Sequence, residues 1–550
     1  MADAPGSPAP GEGLLTGHGG TLAVAAAQAH GVDTMFTLSG GHVFPLYDGA
    51  VKADPPMRLL DVRHEQTAVF AAEATAKLTR RPGLAVLTAG PGVTNGVSAV
   101  TTAHFNGSPL LVLAGRAPAF RWGAGALQEL DHPPLLSSVT KHAATITATA
   151  EIAAGVDAAL STAAAPHRGP VFLDVPVDVL FSMASAPHPP TPARTPIEPD
   201  PGTLAGIAQL IGAAERPVLV LGSDVWTDGA EEAARRFATE LGLPVIANGM
   251  GRGIVVGDLL VTRARAVAFR QADLVVVAGA PLDFRLGYGT FGTAQVVHLA
   301  DAQEALARHV ALAGAAAGDL SAVFDGILTA LPRRPAATAW LALLTDAAAA
   351  AAASDAEALG STAEPIHPAR IYGELRRVLD DDAVVIGDGG DFVSFAGRYL
   401  EPGRPGGWLD PGPYGCLGTG LGYAIAARLA RPSAPVVLLL GDGAAGFSLM
   451  DVDTLVRHRL PVVMVCGNNG IWGLEKHPMR FLYGYDVVAE LRPQTRYDEV
   501  VRALGGDGEL VTAPADIAPA LRRGLEAGCP YLVNVVTDPE VAYPRTTTGV

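Results

Sequence analysis

Cysteine is scarce. The 550 residues contain three, Cys416, Cys466 and Cys529. An odd number at wide spacing builds neither a disulfide framework nor a zinc site, so a reduced, cytoplasmic setting is the simplest expectation. Positive charge is short as well: 39 Lys and Arg against 55 Asp and Glu leave a net charge of −16. That balance disfavours general binding to nucleic acid or an anionic membrane surface. It does not exclude a small anionic ligand held by local groups. No apolar run reaches ~18–20 residues without glycine, proline or charge, so no membrane span is expected. The opening "MADAPGSPAPGEG" lacks the basic start and apolar core of a signal peptide. Residues 1–17 are expected to form a disordered tail.

What is abundant is short, β-branched runs. "GLAVLTAGPG", "RPVLVLGSDV", "ADLVVVAGAP", "DAVVIGDGG", "APVVLLLGDG", "LPVVMVCGNN" and "PYLVNVVTD" are mostly followed by a turn signal and a helical segment. Continuous apolar strands of this kind suit a parallel sheet covered by helices on both faces. The class is therefore α/β. At ~100–200 residues per domain, the length suggests about three or four domains. Two composition breaks divide the chain: the proline-rich Ala186–Gly202, and Arg333–Pro365 with its alanine run. The expected organisation is three doubly wound parallel-sheet domains at 18–185, 198–332 and 365–550, with linkers at 186–197 and 333–364. No close sequence repeat relates them.

Ligands of open α/β sheets sit beyond the C-terminal ends of the strands. Asp442 follows the strand "APVVLLLG", and Asn469 follows "LPVVMVCG", 27 residues later. If the two strands are neighbours, the intervening helix crosses over and brings the two side chains to one edge. A carboxylate and an amide oxygen, with a backbone carbonyl near Ile471, suit magnesium, whose remaining ligands would come from a diphosphate. Gly441 and Gly443 flank the acid, and Gly443 and Ala444 offer small residues and free N–H groups at a helix start. A lone GDG would read as a tight turn. GDG with NN at this spacing, each after an apolar strand, reads as a cofactor site.

With these motifs the chain resembles the thiamine diphosphate-dependent decarboxylase, lyase and acetolactate synthase superfamily over nearly its whole length. Its 2-hydroxyacyl-CoA lyase-like and acetolactate synthase-like members are the nearest in pattern. The resemblance implies pyrimidine-binding, middle and diphosphate-binding domains, thiamine diphosphate with Mg2+, and a homodimer or homotetramer with the cofactor between subunits. FAD or ADP has no supporting motif. In "LLDVRHEQTAVFAAEATAKLTRRPGLAVLTAGPG", Glu65 matches the glutamate that activates the cofactor, and Pro91 lies in the matching cofactor loop. On its own segment, Glu65 reads equally well as an acid favoured at a helix start. In "DPGPYGCLGTGLGYAIA", Leu417 matches the apolar wedge that bends the cofactor and Gly415 the acceptor of its amino group. "IGDGGDF", with Gly389, matches a diphosphate loop or a bare strand-end turn.

For the substrate side, the resemblance implies His42 in "FTLSGGHVFPLYDG", Gln128 and Leu127 in "GALQELDH", and Glu475, Trp472 and Leu474 in "NNGIWGLEK". Glu475 would exchange a proton with the substrate. His42 competes with a packing role, Glu475 with a solvated acid beside Lys476. Arg265 and Arg404 match positions that face coenzyme A, whose phosphates suit the arginine fork. The first expectation is thus cleavage of a short 2-hydroxyacyl-CoA to formyl-CoA and an aldehyde or ketone. Acetolactate synthase and a benzaldehyde lyase-like carboligase are the alternatives. "APLDFRLGYG" lacks the acidic pair and following arginine of biosynthetic synthases. The closing "AYPRTTTGV" leaves a lid short or missing. A non-catalytic homologue is disfavoured because Glu65, Asp442 and Asn469 are all present.

Overall fold

An apolar strand without alternation can be buried only when both sheet faces are covered. The computed structural model, which describes residues 14–190, 192, 196–331, 333 and 337–544, meets that requirement three times. The first sheet runs, edge to edge, Arg58–Asp61, Thr34–Thr37, Gly83–Leu87, Leu110–Arg116, Pro170–Pro176 and His142–Thr145. The second runs Val245–Ala247, Pro217–Leu221, Leu274–Ala278, Gln295–Ala300 and Gly314–Ala317. The third runs Trp408–Leu409, Val384–Asp388, Val436–Gly441, Val463–Asn468, Tyr531–Val536 and Asp507–Val511. Every pairing within these sheets is parallel. The fold is α/β, with three doubly wound parallel-sheet domains. Counted along the chain within each domain, the first and third sheets share the strand order 2-1-3-4-6-5, and the second follows 2-1-3-4-5.

The chain divides into two compact units. One gathers the residues up to Ala72 with 81–100 and 109–193; the other gathers 73–80, 101–108 and the remainder. Part of the expected tail is structured: Leu15–His18 is a strand, antiparallel to Met183–Ala186, while residues 1–13 lie outside the described residues. The expected second linker holds a 22-residue helix, Thr338–Leu359. Its Trp340 and Leu344 enter the core of the middle sheet. Its Asp355 is buried and pairs with Arg398 at 2.7 Å and Arg263 at 3.7 Å. Among the described residues, no helix is long and apolar enough to cross a membrane.

In the first unit, helices Gly19–Ala29 and Phe44–Lys52 approach so closely that glycine is obligatory between them. A Cβ on Gly20 would lie 1.8 Å from the Pro45 carbonyl oxygen, and one on Gly49 would lie 2.6 Å from the Gly20 oxygen. Gly206, inside helix Pro201–Ala213, meets nothing within 4 Å. Gly20→Ala is therefore expected to cost at least ~1–3 kcal/mol, whereas Gly206→Ala is expected to stabilise by ~0.4–1 kcal/mol. Urea unfolding of the two variants checks both signs.

Candidate functional site

The C-terminal edge of the third sheet is where its loops diverge. Val436–Gly441 lies between Val384–Asp388 and Val463–Asn468, with Gly441 opposite Gly467 and Leu440 opposite Asp388. Strands one and three of this domain are thus neighbours, and the crevice between their ends is the usual ligand position of a doubly wound sheet. A cavity of about 500 Å3 opens there, within the ~300–1,000 Å3 of small-molecule sites.

The register explains the 27-residue spacing of acid and amide. Asp442 begins a short helix directly after its strand, and Asn469 begins the loop after the next one. The Asp442 carboxylate accepts N–H bonds from Gly443 at 2.9 Å and Gly470 at 2.6 Å. The Asn469 amide oxygen accepts from Ile471 at 3.2 Å. A flanking segment holds this loop from outside: Trp472 donates to the Ala489 carbonyl and Leu491 to that of Gly470. Gly441, Asp442, Gly443, Ala444, Asn469 and Ile471 all line the cavity. Gly443 must be glycine, since a Cβ would lie 2.4 Å from the Trp472 ring.

Gly389, Gly415 and Leu417 line the same cavity. Their segment is tied by a residue that the sequence reading passed over. Asp388, fully buried, accepts from Gly418 N–H at 3.0 Å and Gly420 N–H at 2.9 Å. Burial raises its carboxyl to about 6, against three backbone N–H groups that lower it. The signal was available: "GDG" occurs at 387–389 as well as 441–443. Trp472, Leu474 and Glu475 complete one wall. Lys476 is buried and bonded to Glu490, so it does not neutralise Glu475.

The remaining wall comes from the middle domain. Phe284 and Arg285 line the cavity, and the Arg285 guanidinium is forked onto Asp283 at 2.7–3.2 Å. A single acid and an arginine therefore stand in "LDFR", two residues apart, while the acidic pair of biosynthetic synthases is absent there. Arg265 and Arg404, in contrast, do not line the cavity. Arg265 donates to the Arg285 carbonyl and lies over the Phe269 ring. Arg404 pairs with Asp382 at 2.9 Å.

Glu65, Pro91, His42, Leu127 and Gln128 belong to the first unit. Glu65 is buried at the start of helix Glu65–Thr79 and accepts from Asn95 Nδ2 at 3.0 Å. Asn95 stands one turn into helix Pro91–Phe105, four residues after Pro91. His42 Nδ1 bonds Thr88 Oγ1 at 3.3 Å. Burial holds its ring below the usual histidine range, opposed by a bond to the Leu127 carbonyl. Gln128 has φ +60 and packs its backbone against Gly90.

The third-sheet residues fit a divalent cation and a diphosphate. Burial pushes the Asp442 carboxyl up to about 6 and no cationic side chain offsets it, so a bound cation would supply the missing compensation. The glycine-lined turns leave room and N–H groups for phosphate oxygens.

Comparison with known proteins identifies the family. The model "Thiamine pyrophosphate enzyme, N-terminal TPP binding domain" matches residues 17–135, the central domain 204–327, and the C-terminal TPP binding domain 388–535. The chain is 50% identical over 537 residues to a probable acetolactate synthase of Mycobacterium bovis and to acetolactate synthase large subunit IlvG of Mycobacterium tuberculosis. Those alignments cover 96% of this chain and 97% of each relative. It is 34% identical to 2-hydroxyacyl-CoA lyase 2 of Caenorhabditis elegans, over 90% of this chain and 84% of the relative. The human 2-hydroxyacyl-CoA lyase 2 is 33% identical, over 94% and 90%.

The Asp442 shift has a consequence for metal binding. Its raised pKa means that ionisation costs the cation-free fold stability as pH climbs from the ordinary carboxylate range through about 6. A cation that needs the carboxylate must compete with the proton below that point. Mg2+ affinity in the presence of thiamine diphosphate is expected to fall ~tenfold per pH unit below the Asp442 pKa and to level off above it. Calorimetry across that range checks this, and Asp442→Asn is expected to weaken binding and flatten the profile.

Proposed function

The chain belongs to the thiamine pyrophosphate enzyme family and is a thiamine diphosphate-dependent enzyme, and from that premise we propose that it is an acetolactate synthase-type carboligase. In that reaction one 2-oxo acid of the pyruvate class loses its carboxyl carbon as CO2. The remaining acyl unit then forms a new C–C bond to the carbonyl carbon of a second 2-oxo acid. The observation that carries this reading is Arg285, a residue of the cavity lining whose Nε and Nη2 are held by Asp283, leaving Nη1 as the remaining donor. It suits the carboxylate of an incoming acid. The names of the 50%-identical relatives support the same choice. The alternative, a 2-hydroxyacyl-CoA lyase, is supported by relatives at 33–34% identity. It loses support from Arg265 and Arg404, neither of which lines the cavity.

Bound thiamine diphosphate supplies a nucleophilic carbon and an electron sink for the carbanion left when a bond to a carbonyl carbon breaks. In our reading Asp442, the Asn469 amide and the Ile471 carbonyl hold Mg2+, and Gly441, Gly443, Ala444 and Gly389 border the diphosphate. Gly415 and Leu417 would contact the rings of the cofactor, with Pro91 in the pyrimidine-side loop. Glu65, oriented by Asn95, shares its proton with the aminopyrimidine ring nitrogen. Glu475 delivers or accepts a proton at the substrate oxygen. Trp472, Leu474 and Leu127 bound the acyl group, while His42 and Gln128 orient the carbonyl that is attacked. The assembly is a homodimer or homotetramer, because the cofactor of this family lies between subunits.

Two measurements test the reading. One preparation given pyruvate is expected to form acetolactate and CO2, and given lactyl-CoA to release no formyl-CoA; the reverse pattern would install the lyase. Arg285→Gln is expected to lower kcat/KM for pyruvate by about 10–100-fold, the scale of a lost charge-assisted hydrogen bond.

Glu65→Gln is expected to retain cofactor while slowing exchange of the thiazolium C2 proton ~10²-fold or more. NMR exchange rates like those of the unmodified protein would reduce Glu65 to a helix-start acid.

A further inference from the structure

Behind Gln128 lies a buried polar chain that the reaction does not itself use. His132 and Asp174 are fully buried and Arg116 nearly so. The backbone N–H of Gly90 donates to His132 Nε2 at 2.9 Å. A nitrogen that accepts carries no proton, so the ring proton sits on Nδ1. That atom faces Asp174 Oδ2 at 2.8 Å. The same carboxylate oxygen accepts from Arg116 Nη1 at 2.9 Å, and Arg116 Nη2 reaches Asp131 at 2.9 Å. The guanidinium also lies over the Trp122 ring, 3.8 Å from its centroid. Arg116 and Asp174 sit on adjacent central strands, Leu110–Arg116 and Pro170–Pro176. The chain therefore runs from the rigid sheet outward to Gly90.

Gly90 is the point of delivery. It has φ +59, and a Cβ there would lie 2.9 Å from Gln128 Cβ and 3.0 Å from the Gln128 carbonyl oxygen. Gln128 holds φ +60, a left-handed backbone that a side-chain-bearing residue rarely adopts. Such conformations persist only where surroundings over-determine them. Its neighbour Leu127 is held from the other side by the His42 ring. We propose that Arg116, Asp174 and His132 are positioning residues: they lock one histidine tautomer, whose free nitrogen fixes Gly90, and through it the left-handed placement of Gln128. The inference rests on the reading of Gln128 as a substrate-facing amide.

Two near-isosteric substitutions separate the halves of the chain. His132→Asn keeps a donor toward Asp174 but loses the acceptor for Gly90. His132→Gln keeps an acceptor near the Nε2 position and loses the Asp174 contact. His132→Asn is expected to lower kcat ~10²-fold, the cost of ångström-scale misplacement at a reacting centre, with a smaller change in cofactor affinity. It is also expected to speed amide exchange at Gly90, read by deuterium uptake of the 88–92 segment. His132→Gln is expected to stay within about tenfold of the parent in kcat, because the Gly90 bond is kept. Equal losses in both variants with equal falls in melting temperature would show a packing role only and overturn the proposal. So would unchanged kcat and exchange in His132→Asn. If His132→Asn does not fold, Asp174→Asn carries the test: faster exchange at Gly90 supports the proposal and unchanged exchange overturns it. Gln128→Ala keeps the two levels apart. Parental turnover in Gln128→Ala removes the substrate-facing reading and the inference with it. Impaired Gln128→Ala beside an unaffected His132→Asn removes the network alone.

Discussion

Everything at the candidate site depends on one pairing of strands. Val436–Gly441 and Val463–Asn468 lie side by side in parallel, with Gly441 opposite Gly467. Parallel pairing forces the intervening chain to cross over and return in the same direction. The residues that follow each strand therefore emerge at one edge. A slip of one residue in register would turn every side chain to the opposite face and separate Asp442 from the Gly470 N–H that it binds. The carboxyl is buried by this arrangement and left without a cationic side chain. That deficit is the physical ground for our proposal that a cation binds here.

The second constraint is that loops at this edge are tied from below by buried or half-buried acids. Asp388 bonds two N–H groups at the start of helix Thr419–Ala430, and so fixes the segment that carries Gly415 and Leu417. Asp410 ties the same segment from its other end, through Trp408 Nε1 and Gly412 N–H. In the first unit, Asp174 plays a comparable part through His132. Each acid stands at or near a strand end, where backbone N–H groups of neighbouring loops need acceptors. These acids keep the walls of the cavity and the Gln128 loop in place.

Much of this was legible in the sequence, for identifiable reasons. Unbroken runs such as "VVLLL" and "VVMVC" state that a strand is buried on both faces. The "GDG" and "NN" that follow them state what stands at the edge. The rest was hidden where meaning lies in tertiary contact. Nothing local marks His132 and Asp174 as partners 42 residues apart. The "LDFR" stretch was visible but discounted, because it holds one acid rather than a pair, and only the fold brings Arg285 to the cavity. Arg265 and Arg404 err in the other direction. Their residue type suits a phosphate, but the fold places neither of them on the cavity wall. The shared 2-1-3-4 strand order of the three sheets left no trace as a repeat, since topology constrains only which positions are apolar.

The helix Thr338–Leu359 makes the middle and third domains more than two beads on a thread. It lends Trp340 and Leu344 to the middle core. Its buried Asp355 is shared between Arg263, on the middle-domain side, and Arg398, on helix Asp391–Tyr399 beside the cavity. Cutting the chain at either end of this helix would expose apolar side chains in one piece and strand a buried charge in the other. The middle and third domains are therefore poor candidates for exchange as separate cassettes. A chimera with another member of the family would have to carry the helix together with both of its arginine partners.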